Sequence, residues 1–333
     1  MSKKNQRKTF VEKNLLIILI AIWVFLSFAT KGTFISFDNI TNLLRQTSIN
    51  GVVAIGMVIV IITGGIDLSV GSIVGLSGMI FALLTSSRGN FQLSIFISLI
   101  ISLGISALIG LVNGIAVHDG NVPPFIATLG MMTLVRGLVM YLSNGRMITG
   151  LPINFRKFAV NTFLGFPYLV WTWLIVAIII GFILKYTKFG RNLYAIGSNL
   201  EASKLSGINI RLNMYGFYSL AGFLSGLAGL MLATRLAAGV PTAGQGYELD
   251  AIASAVIGGA SLMGGVGTVL GTVLGALIIQ TIRNGGNLLG IDPFIMQIVI
   301  GAIIILAVFF DQYLKTKEKG KGLKKLFVKK WGE

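Results

Sequence analysis

Thr63-Gly64-Gly65-Ile66-Asp67-Leu68-Ser69-Val70-Gly71-Ser72 separates two apolar runs, residues 48–63 and 70–86, with one carboxylate between them. Two glycines end the first run. Asp67 and Ser69 precede the second, and their side-chain oxygens suit the orphan N–H groups of a helix's first turn. A negative charge there also suits the helix dipole. Two readings fit these residues: a capped cytoplasmic turn, or a helix break that shapes a pathway or gate.

The same alternation of apolar run and short break continues almost from end to end. The chain of 333 residues is 54% hydrophobic and only 11% charged, with a mean hydropathy of +0.86. Soluble domains carry about 25% charged residues, so this chain cannot cover a globular surface with polar groups. A helix needs roughly 20 apolar residues to cross a bilayer. Segments of that kind lie near 14–30, 48–63, 70–86, 94–117, 123–143, 164–184, 213–235, 250–263, 266–283 and 294–311. The expected fold is an all-α integral membrane protein, a polytopic bundle of about ten transmembrane helices, some short or glycine-broken. The helix count is open around 250–283. Residues 1–13 form a basic N-terminus, 14–311 a single transmembrane domain and 312–333 a basic tail.

Charge placement orients the bundle. With both termini in the cytoplasm, eighteen of the 27 lysines and arginines fall on the cytoplasmic side and seven outside. That is the positive-inside bias, and it places the loop 185–212 in the cytoplasm. The net charge of +16 therefore reads as topology rather than as a nucleic-acid surface. Basic residues, an apolar stretch and Ser27-Phe28-Ala29 resemble a secretory signal. Trp23 and the extension back to Phe10 favour a retained first span, and cleavage within 14–29 stays open. The tail, with Leu323, Leu326, Phe327 and Trp331 among lysines, is either a solvated basic anchor or a segment lying on anionic lipid.

Several chemistries lack their residues. The chain has no cysteine and one histidine, His118, so thiolate and histidine-cluster metal sites are excluded. There is no G-x-x-x-x-G-K-[ST] phosphate cradle and no Ser/His/Asp set. No chain of carboxylates runs through the spans, as a proton- or sodium-coupled carrier would show; Arg136 is the charge nearest mid-span. No catalytic residue, metal or cofactor is assigned to the chain, and energy for active transport would come from another one.

Three further stretches carry information. Gly258-Gly259-Ala260-Ser261-Leu262 shares the Gly-Gly-x-x-Leu pattern with Gly64-Gly65-Ile66-Asp67-Leu68 and follows a span of the same predicted direction. This hints at a duplicated half, and the glycines suit close helix packing or a lined path equally. Pro123-Pro124 starts a span; within it Thr128, with Asn113 on the span before, either faces a polar path or bonds to neighbouring helices. In the loop 185–212, Ser198 or Asn199 caps a short helix with Glu201 in its first turn, Lys204 later and Gly207 at its end. Most connections run about 4–6 residues, so this long loop is either an elaborate connector or, the preferred reading, a docking site for a cytoplasmic partner.

From about residue 38 to 313 the chain resembles the permease subunits of bacterial ABC importers for ribose, xylose, galactose and related sugars, to which branched-chain amino-acid permeases are distant relatives. The resemblance is carried by T-G-G-I-D-L-S-V-G-S at 63–72, P-P-F-I-A-T-L-G-M at 123–131, G-R-N-L-Y-A-I-G-S-N at 190–199, A-S-K-L-S-G-I at 202–208 and A-I-A-S-A-V-I-G-G-A-S-L-M-G-G-V-G-T at 251–268. It implies a multi-pass protein of the bacterial cytoplasmic membrane that moves a monosaccharide through two copies of the chain. A cytoplasmic ABC ATPase, where ATP binds, and an extracytoplasmic sugar-binding protein would work with it. It further implies that Gly190, Arg191, Asn192, Glu201, Ala202, Ser203 and Gly207 belong to the ATPase-coupling loop. Glu201-Ala202-Ser203-x-x-x-Gly207 is similar to the start of the importer E-A-A-x-x-x-G pattern, whose second half is missing here. Pathway or gate candidates are Gly64, Gly65, Asp67, Ser69, Asn113, Thr128, Gly258, Gly259 and Ser261. The path is expected to be lined by Asn, Ser, Thr and Gly without charge. The alternatives are a self-sufficient secondary carrier for a small neutral solute and a permease for branched-chain amino acids.

Overall fold

The structure, a computed structural model, describes residues 3–87, 91–306 and 308–309, with side chains from residue 12 onward. It is nearly all-helical. The long helices are α1 (Lys3–Ala29), α2 (Phe37–Ile62), α3 (Val70–Thr85), α4 (Ile95–His118), α5 (Pro124–Ser143), α7 (Tyr168–Tyr186), α10 (Ile210–Leu236), α12 (Val269–Leu288) and α13 (Pro293–Leu306). Short helices fill the connections: α6 (Ile153–Val160), α8 (Lys188–Ser198), α9 (Leu200–Leu205) and α11 (Tyr247–Ile257). A two-residue-per-strand hairpin, β1 (Thr162–Phe163) with β2 (Phe166–Pro167), precedes α7. The basic tail 312–333 lies outside the described residues. Among the described residues, six helices are long and apolar enough to cross a membrane, and α3 and α13 are shorter apolar helices.

The packing is that of a protein dissolved in lipid. On α4 the buried residues are Ser98, Ser102, Ser106, Gly110, Asn113 and Gly114, while Phe96, Ile97, Ile100, Leu108, Val112 and Ile115 face outward. Large side chains outside and small ones inside reverse the pattern of a soluble helix. Apolar contact gains nothing over lipid tails, so helices associate by close backbone approach and hydrogen bonds. The four-residue spacing of the small residues puts them on one face. That face meets α10, where a Cβ on Gly222 or Gly226 would strike Ser106, and Ser219 Oγ donates to the Ala107 carbonyl at 3.0 Å. The centre of the bundle is α2, buried without interruption from Thr47 to Ile62.

Each of the ten apolar segments in the sequence overlaps one helix, with two differences. The second begins at residue 37 rather than 48, because Ser36 accepts from the Asn39 N–H and caps it. The segment 250–263 is not one helix: α11 has 11 residues, about 16 Å at 1.5 Å per residue, against a hydrocarbon core of about 30 Å. The turns before it supply the remaining depth. Gly239 pairs with Ile148 beyond the end of α5, whereas Pro241 and Ala243 accept from Arg136, twelve residues into α5. Residues 237–246 therefore dip from one end of the bundle to its middle, and α11 starts there. Irregular backbone is tolerated at such depth only when protein satisfies its carbonyls, which the Arg136 guanidinium does.

The first helix is a packed part of the bundle. Leu15 and Leu19 meet Ile278 of α12, and Trp23 Nε1 donates to Thr281 Oγ1 at 3.1 Å.

Candidate functional site

Gly65 and residues 67–69 of the linker are buried, with Asn113 of α4 and Thr128 of α5 against them. Asp67 and Ser69 have no exposed surface. Ser69 carries no N-terminal cap bond of its own. Instead Asp67 Oδ1 accepts from the Ser69 N–H at 2.9 Å and from Ser69 Oγ at 2.6 Å, the turn an aspartate makes with its own backbone two residues on. Asn113 Nδ2 from α4 donates to Ser69 Oγ at 2.9 Å, and Thr128 Oγ1 from α5 donates to the Ile66 carbonyl at 3.0 Å. The sequence candidates Asp67, Ser69, Asn113 and Thr128 thus meet around one break. Tyr218 of α10 joins them, its hydroxyl beside the place a Gly65 side chain would occupy. Three atoms of the cluster are buried without a partner: Asp67 Oδ2, Asn113 Oδ1 and the Tyr218 hydroxyl. Unpaired buried polar groups are costly, which marks this cluster out from the ordinary packing around it.

The second glycine break arrives at the same place. The Gly265 N–H donates to the Ile62 carbonyl, the last residue of α2, at 2.8 Å. Gly64 and Gly264 both have positive φ and their backbones touch. Gly258 and Gly259 lie at the end of α11, where Gly258 packs on the Gly271 backbone of α12 and leaves no room for a side chain. Ser261 is buried, its N–H on the Val266 carbonyl, closing the break into a tight loop.

Resting on both breaks is the segment 187–209. Asn199 caps α9 as the sequence implied, its Oδ1 accepting from the Ala202 N–H at 2.9 Å, and Gly207 ends the helix at φ +76°. The sequence reading missed α8, which Thr187 caps and which buries Gly190, Leu193 and Ile196. Their three-residue spacing was the available signal. Gly197 of α8 sits on the carbonyl end of α2, where a Cβ would overlap the Ile62 oxygen, and Tyr194 donates to the Gly267 carbonyl at 2.9 Å. Of the loop candidates, Gly190 packs on the Leu184 backbone and Asn192 bonds Asn213 at 3.2 Å. Arg191 reaches the Tyr186 carbonyl at 3.3 Å, and Ser203 Oγ the Asn199 carbonyl at 2.8 Å. Glu201, Ala202 and Gly207 are exposed. At the edge of the same face, Asp119 accepts from Tyr215 and from Arg211 Nη2 at 2.8 Å. The Tyr215 hydroxyl first, with Arg211 beside it, holds this carboxyl below its usual range.

One end of the bundle therefore gathers residues 63–69, 119–128, 187–209 and 258–268, with α8 wedged against both breaks. Among the described residues no group of three His, Cys, Asp or Glu stands together to hold a metal ion. The close approach at Gly197 makes a test. Gly197→Ala should melt at lower temperature than the parent in detergent, since overpacking costs about 1–3 kcal/mol. Gly181→Ala, at a helical position with open space, should be neutral or gain up to about 1 kcal/mol. Equal melting temperatures for the two variants would refute the contact.

The chain matches the family described as "Branched-chain amino acid transport system / permease component" over residues 39–308. It is 46% identical to the ribose import permease protein of Haemophilus influenzae over 307 residues, 91% of this chain and 93% of that one. It is 43% identical to the Escherichia coli K12 ribose import permease protein over 300 residues, 89% and 91% of the two chains. Identity to the Haemophilus influenzae xylose transport system permease protein is 39%, covering 91% and 96%. No solved structure matches the chain.

Proposed function

The chain belongs to the branched-chain amino acid transport system / permease component family, and we propose that within it the chain is the membrane subunit of an ATP-driven importer for a monosaccharide, with ribose the first candidate. The observation that carries this reading is the seat of α8 across the end of α2 and both glycine breaks, with α9 continuing directly from it. A push on these loop helices reaches the backbone of two helix breaks directly. Leu205 of α9 is 88% exposed and Leu200 50% exposed, an apolar pair on a polar loop that suits a partner's surface.

In this reading the segment 187–209 docks on a cytoplasmic ABC ATPase, which binds and hydrolyses the ATP; the chain itself catalyses nothing. Closure of the ATPase moves α8 and α9, and through them the break that holds the buried Asp67–Asn113–Tyr218 cluster. An extracytoplasmic sugar-binding protein delivers substrate to two copies of the chain. The topology is about ten crossings in the bacterial cytoplasmic membrane with both termini inside. The lysine and arginine bias supports it, and so does the clustering of the four predicted cytoplasmic connections at one end of the bundle.

The names of the relatives favour sugar, ribose before xylose, while the family's description favours a branched-chain amino acid. Uptake by membranes carrying the whole complex separates them: labelled D-ribose should enter in an ATP-dependent way, and leucine should neither enter nor compete. A gentle detergent pull-down should bring an ATPase and a sugar-binding protein with the chain. Recovery of the chain alone, with autonomous transport in liposomes, would favour a secondary carrier. Glu201→Ala combined with Leu205→Ala, both at exposed positions of α9, should cut uptake at least about tenfold, the scale of a docking hot spot, while the melting temperature stays within about 2 °C of the parent's, as for a surface change. Unimpaired uptake by this double variant would sink the docking assignment.

A further inference from the structure

Away from the loop helices, three polar helix faces converge. Gln46 and Asn50 lie one turn apart on α2, Tyr247 and Asp250 on α11, and Gln280, Arg283 and Asn287 on α12. Together they line a cavity of about 350 Å³, at the lower end of ligand-pocket volumes, about 300–1,000 Å³. Asn50 is twelve residues before the end of α2 and Gln280 eleven after the start of α12. At 1.5 Å per residue that is about 16–18 Å from the face carrying α8 and α9. The cavity lies at the depth where α11 begins after the dipping turns 237–246. Discontinuous helices that start at mid-depth are where transporters place their substrates.

The lining is built for something. Arg283 Nη2 donates to Asp250 Oδ1 at 2.6 Å, and Asp250 is 3% exposed. Asn50 Nδ2 is within 3.5 Å of Asp250 Oδ2. A buried ion pair seldom stabilises a fold over apolar residues of the same shape, and ionisable groups at membrane depth mark pathways. Three atoms here have no partner: Asn50 Oδ1, Gln280 Nε2 and Arg283 Nε. Asn50 and Gln280, 6% and 3% exposed, line the cavity, and these unpaired atoms are buried in its wall.

We propose that this cavity is the transit site for a neutral polyhydroxylated solute, bound through Asn50, Asp250, Gln280 and Arg283; the proposal rests on the importer reading above. A hydroxyl both donates and accepts, which suits a wall of amide, carboxylate and guanidinium side chains. The Asp250–Arg283 pair is closed on itself, so a zwitterionic amino acid would have to break it. Tyr247 and Met296 offer an apolar flank to a sugar's C–H face. The path is therefore not free of charge, as the sequence suggested, but carries a neutralised pair. Arg235 also lines the cavity, so an anionic sugar belongs in the test.

The chain has no cysteine, so Asn287→Cys, at an exposed position on the cavity wall outside the four binding residues, gives one thiol. In the complete complex with ATPase and binding protein, saturating D-ribose should slow methanethiosulfonate labelling of this thiol about tenfold. It should leave a Ser87→Cys control unchanged. Asn50→Leu should lower ribose uptake at least about tenfold, since an apolar side chain leaves the sugar hydroxyl unpaired, with its melting temperature retained. Labelling that ribose does not slow, in a complex whose parent takes ribose up, would overturn the cavity assignment. Protection by D-gluconate but not by ribose would overturn the neutral ligand. A parent complex that takes up none of ribose, xylose and galactose would overturn the importer reading itself, and the transit site with it.

Discussion

Arg136→Leu is expected to melt about 5–10 °C below the parent in mild detergent and to accumulate poorly in membranes. The guanidinium donates to the carbonyls of Pro241 at 2.8 Å, Ala243 at 2.9 Å and Gly71 at 3.3 Å. These tie the dipping turns 237–246 to the start of α3 and to α5. A hydrogen bond to a charged donor contributes about 1.5–3 kcal/mol, and a buried carbonyl left unpaired costs about 1–3 kcal/mol more. Even a part of that sum corresponds to several degrees in a chain of this size. Arg136→Lys should fall between, because an ammonium cannot span three carbonyls as a planar fork does. A leucine variant that melts with the parent would mean the turns hold their depth by packing alone.

Asp250→Ala should be as damaging, through the charge it leaves behind. Arg283, a third exposed, would then sit beside the cavity without its carboxylate, and losing a hydrogen bond between charged groups costs about 1.5–3 kcal/mol. Adding Arg283→Leu should restore much of the lost stability, with a coupling of about 2 kcal/mol between the two sites. Melting temperatures of the two single variants and the double variant read this directly. Uptake separates structure from transport: the double variant should be folded and still fail to carry ribose. Recovery of both stability and uptake would reduce the pair to a packing feature, and additive losses would show that the two side chains do not interact.

The long loop illustrates how far local chemistry reaches. The cap on α9 was legible because Asn199, Glu201, Lys204 and Gly207 each act within one turn of their own position. The role of Gly197 was not, because its reason is the Ile62 carbonyl, 135 positions away in the chain. Asp67 shows the same division. Its turn with Ser69 is written within three residues, but its complete burial depends on Asn113, Thr128 and Tyr218, which come from three other helices. The sequence read as ten apolar segments, with Asp250 at the start of one and Arg283 at the end of the next. Only the descent of residues 237–246 to the bundle's middle, paired to Arg136, brings them together at depth.

By itself the sequence determined that lipid is the solvent, where the apolar segments lie, which loop is long and capped, and which family the motifs resemble. These follow from composition, period and short-range hydrogen bonding, all of which act between near neighbours in the chain. Tertiary structure alone decided that the two glycine breaks and the loop helices share one end, that α11 starts in mid-bundle, and that three polar faces enclose a cavity. Each of those depends on which helix lies against which, and in lipid that choice is made by shape and by scattered hydrogen bonds rather than by hydrophobicity. Such a choice leaves little trace in the spacing of apolar residues along the chain.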